Sequence, residues 1–260
     1  METPALDDTL REALFTYLLR LGDDALILGH RLSEWCGHGP YLEEDIALAN
    51  LALDYLGHAE ALLTLAGEIE GAGRTADDLA FRRDALAFCN VQLVELPRGD
   101  FAFTIARQFL FSAYAHLLYG ALRASRLQPL AGIAAKAHKE LTYHLRHSRT
   151  WIQCLGEGTE ESHCRLQRAL DTLWMYTGEL FEVDGTLQAL ITAYIAPDMA
   201  TLYPQWKAVV ETALQEATLN IPDPPPYMAT GGRRGHHTEH LGHLLAEMQF
   251  LPRAYPDAKW

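Results

Sequence analysis

Of the four long segments between residues 8 and 155 that read as helices, two place a carboxylate four residues before a histidine. These are Asp54 with His58 and Glu140 with His144, and both pairs lie in stretches with helical periodicity. On an α-helix, residues four apart share a face, so each pair presents both groups in one direction. Carboxylates and imidazoles that converge from facing helices are the ligands of a carboxylate-bridged di-iron centre, which takes a Glu from each of two helices and a Glu-x-x-His from each of the other two. The spacing therefore indicates a relative of such a centre.

The ligand set of a di-iron centre is nevertheless incomplete in this chain. Three positions after the two carboxylates stand Gly57 and Tyr143, where the Glu-x-x-His pattern needs histidine. The stretch 101–128, which reads as a core helix, has no Asp or Glu. A di-iron centre takes carboxylates from all four helices, so it cannot be completed when one helix supplies none. The sequence therefore predicts a bundle of the di-iron type that has lost its metals.

Two interpretations of the histidines and carboxylates remain. One is a mononuclear metal site built from Asp54, His58, Glu140 and His144. The other, which we favour, is a vestigial site in which the same side chains form buried or half-buried hydrogen-bonded pairs. Buried carboxylates need partners, and the third and fourth helices offer three bases: Arg107, Lys136 and Arg146. The favoured interpretation predicts no catalytic residue, no cofactor-binding residue and no metal ligand in this chain.

Other candidate sites lack a matching set of ligands. The single strict Glu-x-x-His, Glu160 to His163, falls in the first turn of a fifth helix, where a solvated helix start is the favoured interpretation. The Gly-Gly-Arg-Arg-Gly segment at 231–235 could meet a phosphate, or dock on a partner as a flexible loop. A histidine-rich run near the C-terminus could bind nickel or zinc adventitiously, although a helix surface or an interface is favoured: His236, His237, His240 and His243.

The apolar pattern predicts an all-α fold. Apolar residues recur at three- to four-residue intervals, and breaks such as the glycines and proline at 37–40 separate the segments. The core is predicted to be a four-helix bundle at about 8–155, with additional helices at about 159–260, in one domain over 1–260. We predict helices over about 8–33, 42–70, 76–87, 101–126, 129–155, 159–182, 198–219 with a reset at Pro204, and 238–251.

Composition and charge exclude several classes of partner. The 260 residues carry a formal net charge of −13, which argues against nucleic-acid and anionic membrane surfaces, since both select for Lys and Arg. No apolar run approaches the roughly 18–20 residues that span a bilayer. The N-terminal segment 1–8 is acidic and has no basic stretch followed by an apolar one, so we expect no signal peptide. Four separated cysteines, none in a C-x-x-C pair, favour reduced thiols, and the sequence predicts a cytoplasmic protein.

The sequence resembles a known family in many separate blocks along nearly its whole length. On these blocks it is similar to the non-catalytic C subunits of the bacterial phenylacetyl-CoA ring-1,2-epoxidase, also called phenylacetate-CoA oxygenase. The blocks are Leu-Gly-Asp at 21–23, Arg-Leu at 31–32, Glu-Trp-Cys-Gly-His at 34–38, Ala-Leu-Ala-Asn at 47–50, Thr-Ile-Ala-Arg-Gln at 104–108, Lys-Glu at 139–140, Tyr-His-Leu-Arg at 143–146, Glu-Ala-Thr-Leu-Asn at 216–220, Thr-Gly-Gly at 230–232, His-Thr-Glu-His-Leu-Gly at 237–242 and Leu-Ala-Glu-Met-Gln at 245–249.

The resemblance implies a ferritin-like bundle that pairs with a homologous catalytic subunit, which holds the di-iron centre. It also implies a small bridging subunit and a flavin/iron–sulfur reductase, in a complex that uses O2 and NADPH to epoxidise the aromatic ring of phenylacetyl-CoA. The implied role of a protein of this kind is structural, with no cofactor of its own, and the incomplete ligand set agrees with that role. The alternative is a divergent ferritin-like oxygenase with its own metal at the four residues named above.

The apolar content of the helices also predicts association with a partner. Long helices with many aromatic residues can supply more apolar surface than one core hides, and large exposed patches mark interfaces. Aromatic positions that contribute to this surplus are Tyr17, Trp151, Trp174 and Phe250. We therefore expect the chain to associate with its homologous partner through helix faces.

Overall fold

The computed structural model describes residues 7–223, 226–256 and 258. In these ranges the chain forms ten α-helices and no β-strand, and the fold is the predicted all-α, ferritin-like bundle. In chain order the helices are α1 (Asp8–Ser33), α2 (Leu42–Glu70), α3 (Ala76–Phe81), α4 (Gln92–Glu95), α5 (Phe101–Leu122), α6 (Gln128–Gly156), α7 (Glu160–Leu173), α8 (Gly185–Thr192), α9 (Met199–Glu216) and α10 (Glu239–Ala254). Short 3-10 turns lie at Ala85–Ala87, Trp174–Tyr176, Gly178–Phe181 and Gly232–Arg234.

Side-chain caps, a proline and a glycine set the ends of the long helices. The carboxylates of Asp7 and Asp100 accept hydrogen bonds from backbone N–H groups three residues on, at 2.7 and 2.8 Å, and so begin α1 and α5. Pro129 stands in the first turn of α6, where its fixed φ suits a helix and its missing N–H has no intrahelical partner to lose. Gly71 ends α2 with a φ of +72°, a left-handed conformation that strains residues with a side chain.

Two helical hairpins form the four-helix core. Helix α1 packs along α2, helix α5 packs along α6, and α2 lies against α6 to join the two hairpins. The strongly apolar α5 is buried on almost every side, and Phe109, Leu110 and Ala113 have no exposed surface. Each Leu or Phe side chain that becomes fully buried contributes roughly 1.5–3 kcal/mol. The core therefore supplies a rigid frame on which α2 and α6 face each other.

The remaining helices cover one side of this frame. Helices α4 and α8 pack on α1, and α7 and α9 pack on α5 and on α6. Helix α10 returns to α3, which follows the end of α2. The main neighbours of α2 are α1, α6 and α3, so its outward face carries none of the additional long helices.

The predicted ends of α1 and α2 are confirmed, and the observed ends of α6 and α10 lie within three residues of the predicted ones. Helix α5 ends at residue 122 and not at 126. The segment 76–87, predicted as one helix, is α3 followed by a 3-10 turn. The reason is the buried Arg83, whose guanidinium donates hydrogen bonds to the carbonyls of Leu79 and Ala87 and so ends the helix between them.

Three predictions for the C-terminal half are wrong. The stretch after residue 182, predicted to be irregular, contains α8, which Asp184 caps through the N–H of Leu187 at 3.0 Å. The helix predicted to extend to residue 182 ends at 173 and continues as 3-10 turns. Pro204 does not reset α9, because the buried side chains of Leu202 and Trp206 hold the helix on the core on both sides of the proline.

No helix in the described ranges is long and apolar enough to cross a membrane. Most of the acidic N-terminal segment, residues 1–6, lies outside the described residues, and the expectation of no signal peptide stays a prediction.

Candidate functional site

The four residues with metal-ligand spacing come together between α2 and α6. The imidazole of His58 is hydrogen-bonded through Nε2 to Glu140 Oε2 at 2.6 Å, and that of His144 through Nε2 to Asp54 Oδ2 at 2.9 Å. Each histidine therefore pairs with the carboxylate of the opposite helix. We call this arrangement the crossed pairs. It follows from the antiparallel course of α2 and α6, because equal four-residue spacings then place each acid opposite the other helix's histidine.

The crossed pairs are buried at the imidazoles and half-exposed at the carboxylates. The side chains of His144 and His58 are 0% and 4% exposed, whereas those of Glu140 and Asp54 are 29% and 35% exposed. The prediction of buried or half-buried hydrogen-bonded pairs is confirmed. A third pair, Glu44 with His147 at 2.9 Å, joins the same two helices nearer the start of α2, and sequence reasoning missed it.

The bases offered by the sequence as partners for these carboxylates are not the partners that the structure shows. Lys136 and Arg146 are exposed on α6. Arg107 is buried, and its guanidinium donates to the backbone carbonyls of Leu96 and Pro97. Burial, with no carboxylate in contact, lowers the pKa of Arg107 to about 9. Histidines replace these bases because the antiparallel spacing already brings an imidazole to each carboxylate.

Burial decides the protonation state of His58. It lowers the pKa of this imidazole, although the hydrogen bond and the charge of Glu140 act in the opposite direction. His58 is therefore neutral at pH 7, and its Nε2–H donates to the Glu140 carboxylate. A neutral imidazole that donates to a half-hydrated carboxylate avoids placing an ion pair wholly inside the bundle.

Helix α5 contributes only uncharged groups to this region. The ring of Tyr55 lies 4.8 Å from that of His144, and the Tyr55 hydroxyl accepts a hydrogen bond from Gln108 Nε2 at 3.1 Å. The same amide nitrogen donates to Ser112 Oγ at 2.9 Å. Gln108 and Ser112 are fully buried one helical turn apart on α5. The sequence showed that this helix has no acid, but it did not show that an amide and a hydroxyl stand there.

The residues present do not fit a di-iron centre. Both imidazole Nε2 atoms are already bonded to carboxylates, and the wall formed by α5 offers an amide and a hydroxyl where bridging carboxylates are needed. In the described ranges, no group of three or more His, Cys, Asp or Glu side chains has an arrangement that could hold a metal ion. Two ring nitrogens of the histidines on α6, His144 Nδ1 and His147 Nδ1, are buried without a hydrogen-bond partner.

The glycine- and arginine-rich segment 231–235 docks on the bundle of its own chain. The guanidinium of Arg233 contacts both carboxylate oxygens of Asp24 on α1, at 3.0 and 2.8 Å, and its backbone N–H donates to Glu179 at 3.3 Å. Two carboxylates of the same protein thus stand where a phosphate was one possibility. The other possibility, a flexible loop that docks on a partner, is not what the structure shows either, because the surface that the segment meets belongs to its own chain.

Asp24 and Arg233 form an ion pair inside the protein. Burial raises the pKa of the Asp24 carboxyl to about 6, although Arg233 and the N–H of Val91 oppose this. Burial, the largest single effect, disfavours the charged form of Arg233, but Asp24, Tyr114 and Glu179 together raise the pKa of the guanidinium. Both groups are therefore charged at pH 7. The adjacent Asp23 is neutralised in the same way by Arg83, at 3.0 Å. Asp23 and Asp24 stand next to each other in a mostly apolar stretch of α1. Two adjacent acids in such a stretch indicate that bases from elsewhere in the chain are buried beside them.

The histidine-rich run contains one buried ion pair. His237 Nδ1 lies 2.8 Å from Glu95 Oε2, and His237 Nε2 lies 2.9 Å from the carbonyl oxygen of Phe88. Because both neighbours are acceptors, both ring nitrogens donate, and the imidazole is charged. Burial, the largest single effect, opposes this charge, but Glu95, the carbonyl of Phe88 and Asp23 together raise the pKa of His237.

The other histidines of the C-terminal run have no such role. His236 and His243 are exposed, as a helix surface or an interface requires, and His240 is half-buried. Glu160 is exposed at the start of α7, as predicted for a solvated helix end, and His163 donates to the carbonyl of Gly156 at 2.8 Å.

Comparison with known proteins settles the family of the chain. Residues 1–260 match the family described as phenylacetic acid catabolic protein. The chain belongs to this family. It is 50% identical over 247 residues to the protein of Escherichia coli (strain K12) that is named as the C subunit of 1,2-phenylacetyl-CoA epoxidase, a match that covers 95% of the chain and 99% of that protein. The resemblance inferred from the sequence blocks is confirmed.

In this member of the phenylacetic acid catabolic family, substitution of Arg233 should lower the free energy of unfolding more than most other substitutions. Arg233→Met leaves Asp24 buried without its counter-charge, and we expect the free energy of unfolding to fall by roughly 3–5 kcal/mol. The adjacent Arg234→Met is the matched control, because the Arg234–Glu182 pair is exposed, and it should cost less than about 1 kcal/mol. Urea denaturation of the two variants measures the difference. Equal losses of stability would contradict the internal ion pair.

His58 and His237 should give opposite pH dependences of stability. The folded-state pKa of His58 is lowered from 6.5, so as the pH falls below this value the unfolded chain binds the proton first and the contribution of His58 to stability is lost. The folded-state pKa of His237 is raised from 6.5, so its contribution is complete below this value and is lost as the pH rises through the folded pKa.

The comparison uses two matched variants, His58→Gln and His237→Gln, each unfolded by urea at about pH 5.5 and about pH 7.5. The difference in unfolding free energy between wild type and His58→Gln should be larger at the higher pH. That between wild type and His237→Gln should be larger at the lower pH. The same sign of change for both variants would show that one of the two protonation states is wrong.

Proposed function

We propose that this protein is a structural, non-catalytic subunit of a phenylacetyl-CoA epoxidase in aerobic phenylacetate degradation. Two kinds of observation support the proposal. The chain is 50% identical to a protein that is named as the C subunit of such an epoxidase. Its own bundle has two imidazoles occupied by carboxylates and an α5 without acids, which is a donor set that cannot bridge two irons.

The proposed role implies the partners that the sequence resemblance predicts. A homologous subunit would hold the di-iron centre and carry out the oxygen chemistry, with a small bridging subunit and a reductase completing the complex. This chain would hold no cofactor, and it would support the catalytic subunit through contacts between helices. Its negative net charge and the absence of a membrane-spanning helix in the described ranges agree with a cytoplasmic complex without nucleic acid.

One observation favours the alternative of a divergent metal-binding oxygenase. His144 Nδ1 is buried and unpartnered, and an imidazole whose Nε2 is held by a carboxylate is a common arrangement around a metal. Asp54 and Glu140 could not ligate the same metal without first leaving their histidines. The alternative therefore predicts that metal binding breaks the crossed pairs.

We expect no stoichiometric iron in the isolated protein after anaerobic reconstitution with ferrous iron, because the crossed pairs satisfy the ligands and α5 adds no negative charge. Elemental analysis and Mössbauer spectroscopy measure the outcome, with His144→Gln as the matched control for adventitious binding. Equal, sub-stoichiometric iron in both proteins is the expected result. A di-iron complement, or one iron in wild type that His144→Gln abolishes, would overturn the proposal and support the alternative.

A further inference from the structure

A small internal cavity lies beside α1. Its volume is about 20 Å³, and its walls come from α1, α5, α8, α9, the 3-10 turn at Gly178–Phe181 and the turn that contains Arg233. This volume exceeds the roughly 10–15 Å³ that one water molecule needs, and it is far below the roughly 150 Å³ of a cavity that takes benzene. The polar side chains that line it are those of Tyr17, Arg20, Tyr114, Glu179, Glu182 and Arg233.

Two polar atoms of the side chains that line this cavity are buried and have no hydrogen-bond partner among the described residues. They are the hydroxyl oxygen of Tyr17 and Nε of Arg20, in residues that are 4% and 6% exposed. The two terminal nitrogens of Arg20 donate to the carboxylate of Asp184, so only Nε remains without an acceptor. Tyr17 and Arg20 are three residues apart on α1 and therefore share one face of the helix. A buried polar atom without a partner is costly, so both atoms need one molecule or group on that face.

Tyr17 has a different place from the one that the sequence predicted. It was among four aromatic residues that were expected to add apolar surface to an interface. Of these, Phe250 is exposed and Trp151 and Trp174 are half-buried, but Tyr17 is buried. Burial, with smaller effects from two nearby tyrosines, raises the pKa of the Tyr17 hydroxyl well above its ordinary value. The hydroxyl therefore keeps its proton and has a donor as well as an acceptor to satisfy.

The carboxylate of Glu179 brings acceptors to the same cavity. This side chain is buried, at 1% exposure, and stands in the 3-10 turn. Its two oxygens accept hydrogen bonds from the backbone N–H of Gln92 at 2.8 Å and from that of Arg233 at 3.3 Å. A carboxylate has about four acceptor sites. Glu179 can therefore accept further hydrogen bonds from a molecule in the cavity.

The lining groups favour a small neutral molecule that both donates and accepts. An anion in the cavity would be repelled by the carboxylate of Glu179, and a cation would be repelled by the guanidinium groups of Arg20 and Arg233. Both repulsions are strong in the low dielectric of a protein interior. A water molecule accepts a hydrogen bond from Arg20 Nε and donates one to Glu179, and the Tyr17 hydroxyl can take either role. Buried water typically makes about three hydrogen bonds of this kind.

We propose that this cavity is a binding site for one ordered water molecule, which joins Tyr17 Oη and Arg20 Nε to the carboxylate of Glu179. Such a water is a fixed part of the fold, because removing it would leave buried polar atoms without partners. Glu179 also accepts from the backbone N–H of Arg233, so the water connects α1 to the 3-10 turn and to the turn before α10. The site thus acts beside the buried ion pair of Arg233 in fixing the C-terminal part of the chain on α1.

High-resolution crystallography of the full chain locates the water directly. Wild type should show one density peak in the cavity, within roughly 2.6–3.2 Å of Tyr17 Oη, Arg20 Nε and an oxygen of Glu179. In Tyr17→Phe the contact to the hydroxyl is gone, and the peak should be weaker or absent. A cavity without a peak in wild type, with the Tyr17 hydroxyl bonded to a protein group, would overturn the proposal.

Thermal unfolding of Tyr17→Phe gives a result whose sign decides between a bound water and a hydroxyl without a partner. If the hydroxyl binds water, the variant loses a hydrogen bond and its Tm should fall by roughly 2–4 °C. If the hydroxyl has no partner, removing it relieves a desolvation cost and the Tm should rise, which would contradict the proposal. Tyr203→Phe is the matched control, because it removes a hydroxyl from a ring that is 47% exposed, and its Tm should stay at the wild-type value.

A change of salt distinguishes water from a small anion in the cavity. The difference in Tm between wild type and Tyr17→Phe is measured in sodium chloride and in sodium acetate at equal ionic strength, so that general effects of each salt on stability cancel. The difference should be the same in both salts if the cavity holds water. A difference that is present only in chloride would assign the cavity to a chloride ion and overturn the proposal.

Discussion

Contact between α2 and α6 through histidine–carboxylate pairs is the constraint on which the rest of this structure depends. Each helical hairpin packs internally by apolar contact, but the seam between the hairpins places two buried imidazoles where a di-iron protein has ligands to metal. Because each buried N–H needs an acceptor, the carboxylates of Asp54 and Glu140 must stay within hydrogen-bonding distance. The carboxylates keep part of their hydration, which limits the cost of desolvating charge. The crossed pairs thus join the two hairpins, through α2 and α6, without a metal ion.

Buried acids are also paired with bases elsewhere in the bundle interior. Acids that enter the core on α1 and α4 are neutralised by bases from distant parts of the chain, Asp23 by Arg83, Asp24 by Arg233 and Glu95 by His237. Two of these bases lie in the segment just before α10, so the C-terminal part of the chain is fixed to α1 and α4 by buried ion pairs. A buried ion pair adds little stability relative to well-packed apolar residues at the same positions. Removing one partner nevertheless destabilises the fold strongly, because the other charge stays buried and unpaired. These pairs specify where the C-terminal segment docks.

The sequence predicts much of this architecture where the information is local. Periodicity, with breaks at glycine and proline, predicted the ends of α1 and α2, and spacing predicted the four residues of the crossed pairs. Prediction from the sequence failed where the two partners of a contact are far apart in the chain. Nothing local shows that Arg233 meets Asp24 or that His237 meets Glu95. Nor does any local pattern show that Lys136 and Arg146 point into solvent while Arg107 binds backbone carbonyls. Helix α8 was missed although Asp184 and Gly185 form a readable start, because its apolar pattern is short. Whether Ile46 and Leu53 face solvent is equally non-local, since it depends on which side of the bundle the later helices cover.

The central claim is that the crossed pairs hold the bundle together and take no part in oxygen chemistry. The most direct measurement is turnover of the assembled epoxidase complex that contains the double variant Asp54→Asn, Glu140→Gln. The amide oxygens still accept hydrogen bonds from the two imidazoles, but the anionic metal ligands are gone. The account predicts a complex that assembles and turns over phenylacetyl-CoA at the wild-type rate, with at most a modest loss of thermal stability. Lost turnover in a fully assembled, stable complex would contradict it.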